Sequence, residues 1–301
     1  MLTKAKGTFI GLAIGDALGA PVQFKKRGSF KITYYTSGGR YKVKVGEYTD
    51  DTAMALCLGD SLLRKGFDLK DQLDTYLKWL EDGLFSSKHK AFDIGQTVFR
   101  SLSNYKRKGD LISPLRNEKF SGNGSIMRLA PVVIYFHTDF EKAVFYSGES
   151  SKTTHSSPIA VDSAKLLGAI LWWFINGSKK DEVLAKIQKL SFHPALSDIT
   201  GGSFLHKKED EIKSSGYAID TLEAALWCFY NTNSFEKGLI KAVNLGDDAD
   251  TVGAVYGQIA GAYYGIDNID EKLIRPVKNH ELILQMAENL YKKGLNEFSK
   301  Q

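Results

Sequence analysis

The residues best equipped for chemistry stand in two short acidic clusters far apart in the chain. One is Asp247, Asp248 and Asp250, followed at once by Thr251; the other is Thr49-Asp50-Asp51-Thr52. Asp and Thr are favoured at helix N-termini, where they cap free N–H groups and meet the positive end of the dipole. Either cluster alone therefore reads by default as capping. Together they read differently, because each holds more acids than one cap uses and each adds a threonine hydroxyl. Carboxylates crowded beside water-poor helices repel one another unless they are protonated or neutralised by a cation. All the donors are oxygens, and no Cys or HExxH pattern lies nearby. That donor set suits a hard cation, Mg²⁺ or Mn²⁺, over zinc. Thr49, Asp50, Asp51, Asp248, Asp250 and Thr251 supply enough oxygens for two ions bridged by shared carboxylates. Asp247 is a further candidate, but the alternate spacing of Asp248 and Asp250 suits convergence better.

Two glycine stripes are the elements that must bring these clusters together. Gly253, Gly257, Gly261 and Gly265 recur every four residues after the second cluster, and Gly7, Gly11, Gly15 and Gly19 do the same before the first. Glycine inside a helix costs about 1 kcal/mol against alanine. A whole face of it is best explained by very close approach of another backbone. Two such helices packed on each other form a rigid centre and bring the clusters into one place.

The remaining chain is helical in pattern. Apolar spacing predicts helices over 4–20, from Thr49 or Asp50 to Gly66, and over 69–83, 94–109, 139–152, 157–177, 181–190, 215–232, 234–244 and 281–294. The stretch 120–136 reads as a glycine-rich turn feeding an apolar helix capped by Ser125, and RYKVKVGEY at 40–48 as a strand or an extended loop. No βαβ alternation, fixed-period repeat or Pro/Ser-rich linker appears. The expectation is an all-α, single compact orthogonal helical domain over 1–301.

Composition narrows the function classes. The net charge of +5 comes from scattered doublets such as Lys25-Lys26, Lys106-Arg107 and Lys207-Lys208, with no basic stripe interleaved with aromatics. No nucleic-acid partner is expected. The apolar run at 166–175 is too short to span a bilayer. Asp16 interrupts the N-terminal apolar stretch, which the glycine stripe explains better than a signal peptide. Cys57 and Cys228 sit in apolar helical patterns and read as buried free thiols. No membrane partner and a cytoplasmic location are expected.

The motifs GLAIGDALGAPV, YTDDTAMAL, FDIGQTV, GNGSIMRLAPV, THSSPIAVDSA, SGYAIDTLEAALW and GDDADTVGAVYGQIAGAYYG follow one another over about residues 7–265. In that order they resemble the ADP-ribosylglycohydrolases, in particular the dinitrogenase-reductase-activating type. The resemblance implies an all-α hydrolase with a centre of two Mg²⁺ or Mn²⁺ ions. Its substrate would be an ADP-ribosylated protein, with ADP-ribose as the released product. It implies that Thr49, Asp50, Asp51, Asp248, Asp250 and Thr251 are the metal ligands. Asp93 matches an acid that arginine-specific members use beside the scissile bond, and Asp51 is the second candidate for catalysis. Gly122, Asn123, Gly124, Ser125 and Met127 match a turn around the diphosphate and ribose. His155 and Tyr217 match groups that contact ADP-ribose.

Each of these positions also has a plainer reading. GNGSIM offers backbone N–H groups and a helix start, as an anion needs, yet it is equally a Gly/Asn turn with a serine cap. Arg128 either attracts the diphosphate or holds a structural carboxylate. His155 is otherwise a loop histidine, Tyr217 a packing residue and Asp93 an N-cap. In one place the chain departs from the family. Many relatives carry a glutamate where APVQF places Gln23, and in those acting on serine-linked ADP-ribose that glutamate is a candidate general acid/base. Glutamine cannot exchange a proton near neutral pH. The departure weakens the serine-linked reading and leaves the arginine-linked one open. The alternatives to an arginine-specific enzyme are an ADP-ribose-binding module without catalysis and a hydrolase of serine-linked or small-molecule conjugates.

Overall fold

The structure, a computed structural model, describes residues 1–298. It holds fourteen α-helices there and only two isolated β-bridges. In chain order they are α1 (Leu2–Gly19), α2 (Asp50–Lys65), α3 (Leu69–Asp82), α4 (Gln96–Lys108), α5 (Ala130–Tyr135), α6 (Phe140–Lys152) and α7 (Pro158–Ile175). Then follow α8 (Lys180–Ile187), α9 (Ser197–Thr200), α10 (Ala218–Tyr230), α11 (Phe235–Asn244), α12 (Ala249–Tyr264), α13 (Glu271–Ile274) and α14 (His280–Phe298). The fold class is all-α, as expected.

The centre is the antiparallel pair of α1 and α12. A Cβ built on Gly257 would stand 1.9 Å from the Gly11 carbonyl oxygen, and one on Gly261 equally close to that of Gly7. One on Gly15 would meet the Gly253 carbonyl oxygen at 1.9 Å. The two backbones therefore touch along the whole seam, and no side chain fits between them. The register carries Gly19, the last residue of α1, against Asp250, whose Cα a Cβ there would meet at 2.4 Å. So the end of one glycine helix lies on the acidic start of the other.

A single side chain then joins α2 to this pair. Asp16 is fully buried in α1. Its Oδ1 accepts from Thr49 N at 2.8 Å and Thr49 Oγ1 at 2.9 Å; its Oδ2 accepts from Thr52 N at 3.0 Å and Thr52 Oγ1 at 2.6 Å. Four donors on one carboxylate fix the first turn of α2 to α1. Both acidic helix starts are thereby held at the same end of the α1–α12 seam.

The structure decides one open reading of the sequence and corrects another. Residues 40–48, open between a strand and an extended loop, form a loop with one bridge, Gly38 to Val43, since among the described residues no neighbouring strand is there to pair them. The stretch 120–136 is mostly turn. Ser125 ends a short 3₁₀ turn (Asn123–Ser125), and α5 starts only at Ala130, flanked by Leu129 and without a side-chain cap. The apolar run at 166–175 belongs to α7, an 18-residue helix apolar enough to cross a membrane by length and composition. In this fold 78% of α7 is buried inside the molecule. Cys57 and Cys228 are free and buried, as expected.

Candidate active site

A cavity of about 400 Å³ opens where α2 and α12 begin. Asp50 and Asp51 line it from α2, Asp248 and Thr251 from α12, and Asp93 from the loop before α4. The turn 122–124, Met127 and His155 form a second wall, and Gln23, Phe24, Arg40 and Tyr41 also line the cavity. The two acidic clusters thus meet in space. Thr49 and Asp250 do not line the cavity; they are buried beneath it.

Capping does not explain the clusters. Thr49 and Asp248 flank their helices without a side-chain bond to the helix N–H groups. Both carboxylate oxygens of Asp250 and Oδ1 of Asp51 are buried with no hydrogen-bond partner. Burial first, and then the charges of neighbouring carboxylates, push the Asp50, Asp51 and Asp250 carboxyls well above the usual range. Burial also raises Asp248, although hydrogen bonds from Asn123 and Gln23 oppose it. A cation would satisfy these orphaned oxygens, and the donor set is the hard one expected. Yet among the described residues no group of three or more His, Cys, Asp or Glu side chains stands close enough to hold an ion. The carboxylates are near enough to repel one another without converging into a ligand set.

Asp93 is not an N-cap. Its backbone is left-handed, with φ 62°, and Gly95 flanks α4 instead. This aims the carboxyl into the cavity, where Oδ2 is buried without a partner. Burial raises the Asp93 pKa to about 7, against hydrogen bonds from Tyr41 and Gln23. Gln23 is 7% exposed and stands near enough to both Asp93 and Asp248 to lower each pKa, so its amide lies between acids from two walls.

The turn is held from three sides. Asn123 Nδ2 donates to Asp248 Oδ2 at 2.6 Å and to Thr221 Oγ1 at 2.9 Å. Asn123 N donates to Gly216 O at 3.0 Å, and Gly122 bridges to Tyr217 through the backbone. Gln258 on α12 donates to the carbonyls of Ile126 and Met127 at 2.9 and 3.2 Å. His155 closes the turn from behind: a Cβ on Gly124 would stand 2.6 Å from its Cε1.

Residues 1–298 match the ADP-ribosylglycohydrolase family. The chain belongs to it. It is 39% identical over 292 residues to ADP-ribosylarginine hydrolase Tri1 of Serratia proteamaculans (strain 568), covering 96% of this chain and 79% of that protein. It is 33% identical over 275 residues to the ADP-ribosyl-[dinitrogen reductase] glycohydrolase of Rhodospirillum rubrum, covering 88% and 87%. A solved structure titled ADP-ribosylglycohydrolase-related protein complex superposes with a TM-score of 0.87 at 38% identity, over 97% of this chain and 98% of that one. As an ADP-ribosylglycohydrolase the chain is an enzyme.

Several positions differ from the reading of the sequence. Ser125 and Tyr217 do not line the cavity. Ser125 Oγ is buried without a partner, and Tyr217, half-buried, meets the turn through its backbone. Arg128 holds neither a carboxylate nor the cavity wall; it donates to the hydroxyls of Thr153 and Thr154. Asp16 was passed over, although an acid inside an apolar helix is itself a signal, because buried charge must be bonded.

Proposed function

We propose that this enzyme hydrolyses the bond between ADP-ribose and an arginine side chain of a modified protein, releasing ADP-ribose. The observation that carries the reading is Asp93, half-buried, whose Oδ2 is buried without a partner and which shares one cavity with Asp50, Asp51 and Asp248. The names of the two relatives support it, since one is an arginine hydrolase and the other acts on dinitrogen reductase.

Breaking the bond from the anomeric carbon to the guanidine nitrogen builds oxocarbenium character in the ribose. The guanidinium is already charged and departs as neutral guanidine when the bond breaks. A proton given to the departing nitrogen in the transition state therefore turns it directly into the stable guanidinium and lowers the barrier. Asp93, with a pKa of about 7, holds a proton for part of the time near neutrality and delivers it from Oδ2. Water supplies the hydroxyl of the released ADP-ribose, and its proton passes to a carboxylate such as Asp51. Gln23 keeps Asp93 oriented by its amide. Gly122 and Gly124 offer backbone N–H groups to the diphosphate, that of Asn123 being taken by Gly216.

The oxygens at both helix starts are of the kind that suits two Mg²⁺ or Mn²⁺ ions, although they do not converge into a ligand set in this structure. Asp50, Asp51, Asp248 and Thr251 would hold them at the cavity and Thr49 and Asp250 from beneath. Such ions would supply Lewis-acid polarisation of the sugar oxygens.

The test is release of ADP-ribose from an arginine-modified protein, with and without Mn²⁺, beside a serine-modified peptide and the Asp93→Asn variant. Metal-dependent release from arginine, lowered at least a hundredfold in the variant, is expected. Release from the serine peptide alone would overturn the linkage, and binding of ADP-ribose with no release from either would overturn catalysis.

A further inference from the structure

Behind the glycine turn runs a chain of three side chains that the chemistry above does not use. Arg128 is 1% exposed, donates to Thr154 Oγ1 at 2.7 Å and lies 4.6 Å from the Tyr76 ring centre. Arginine can only donate, so Thr154 accepts there. Thr154 is fully buried, and the other partner of its hydroxyl is His155 Nδ1 at 2.9 Å. A buried hydroxyl proton left without an acceptor is costly, so it goes to Nδ1. Nδ1 is then an acceptor, and the ring carries its own proton on Nε2. The ring stays neutral, because burial and then the nearby Arg128 charge push the His155 pKa down to about 3. Nε2 faces the turn: a Cβ on Gly122 would stand 3.3 Å from it and one on Gly124 3.2 Å, and all three residues line the cavity.

We infer that Arg128 and Thr154 are positioning residues that lock His155 as its Nε2–H tautomer, so that the cavity presents an uncharged donor to an anionic phosphate oxygen. The identity of that oxygen, in the diphosphate of ADP-ribose, rests on the function proposed above; the tautomer does not. The relay gives Arg128 a use that neither reading of the sequence offered. Its charge reaches the anion through a hydroxyl and a ring without entering the cavity. It also accounts for two glycines beside the ring, since any side chain there would displace it.

The experiment uses the full chain labelled with ¹⁵N-histidine, with Thr154→Val, Thr154→Ser and His155→Gln, the last to assign the signal. Two-bond ¹H–¹⁵N spectra at pH 7 should show His155 with Nε2 protonated and Nδ1 bare in the wild type and in Thr154→Ser. Thr154→Val should show a mixture of tautomers. Calorimetric affinity for inorganic pyrophosphate and for ADP-ribose should fall about tenfold in Thr154→Val and recover in Thr154→Ser. A protonated Nδ1 or a charged ring in the wild type overturns the inference, and that spectrum decides even if Thr154→Val fails to fold. Unchanged affinity in a folded Thr154→Val, or no wild-type affinity for either probe, overturns the donor role. Pyrophosphate affinity that depends on Thr154, with no affinity for ADP-ribose, supports the relay while removing the proposed substrate.

Discussion

Gly257→Ala tests the claim that backbone contact between α1 and α12 organises the site. Helix propensity alone favours the substitution by about 1 kcal/mol. The new methyl, however, would stand 1.9 Å from the Gly11 carbonyl oxygen and 2.4 Å from its carbon. Neither atom can rotate away, so relief requires the helices to part by more than an ångström along a seam buried end to end. Overpacking a core costs about 1–3 kcal/mol where side chains can adjust; here both partners are backbone. The expected net loss is about 2–4 kcal/mol, read from the urea midpoint with the slope compared between variants. Gly59→Ala is the internal control. Its methyl would meet the Met286 sulfur at 2.5 Å, the far end of a flexible side chain, so a loss under about 1 kcal/mol is expected. A Gly257→Ala protein as stable as the wild type, or more so, would refute the close-packed seam.

Other perturbations address the site itself. Asp16→Asn leaves some of the four donors from Thr49 and Thr52 unmet and should destabilise by about 2–4 kcal/mol; a urea midpoint within error of the wild type would contradict the anchoring role. Gln23→Glu puts a third carboxyl between Asp93 and Asp248, and turnover on arginine-modified protein should fall more than tenfold at pH 7; unimpaired turnover would show that the amide does not orient Asp93. His155 makes the fold acid-sensitive. Its folded pKa of about 3 lies below the unfolded value of 6.5, so the unfolded chain binds the extra proton between them and stability falls as pH drops through that window. At pH 4.5 the loss from this one ring is about 3 kcal/mol, and His155→Gln should unfold at a less acid-shifted midpoint than its own neutral-pH stability would suggest.

How much of this was legible depends on whether a residue's constraint is local or distant. The glycine stripes were readable because an absent Cβ has one strong explanation inside a helix. Their pairing then placed Thr49–Thr52 beside Asp248–Thr251 before any coordinates were needed. The helix starts at Asp50 and Ala249 were readable for the same local reason, since Asp and Thr cluster where N–H groups are free. What escaped the sequence depends on partners far away in the chain. Asp16 acts through α2, 33 and 36 residues on, and Arg128 through Thr154, 26 residues on. Ser125 looked like a cap because it precedes an apolar run, but Pro131 and the bonds from Gln258 to Ile126 and Met127 hold the segment as a turn until Ala130.

These distant contacts share a direction that bears on mechanism. Asp16 fixes α2 to α1, the glycine seam fixes α1 to α12, Gln258 fixes α12 to the turn, and Asn123 ties the turn back to Asp248. The circuit closes around the cavity, so no wall can move without breaking a buried hydrogen bond or parting two backbones. Asp93 reaches the cavity from a loop, in a left-handed conformation and beside Tyr41 and Gln23. A glycosidic bond cleaved here would be held by a stiff frame and met by one adjustable acid. Enzymes lose rate steeply when a reacting group is misplaced by an ångström, which makes the Tyr41–Asp93–Gln23 contact, rather than the acidic clusters, the place where substitutions will separate binding from turnover. Tyr41→Phe should therefore lower kcat while leaving the affinity for ADP-ribose within threefold of the wild type, and a variant that lost both together would put Tyr41 in the frame instead.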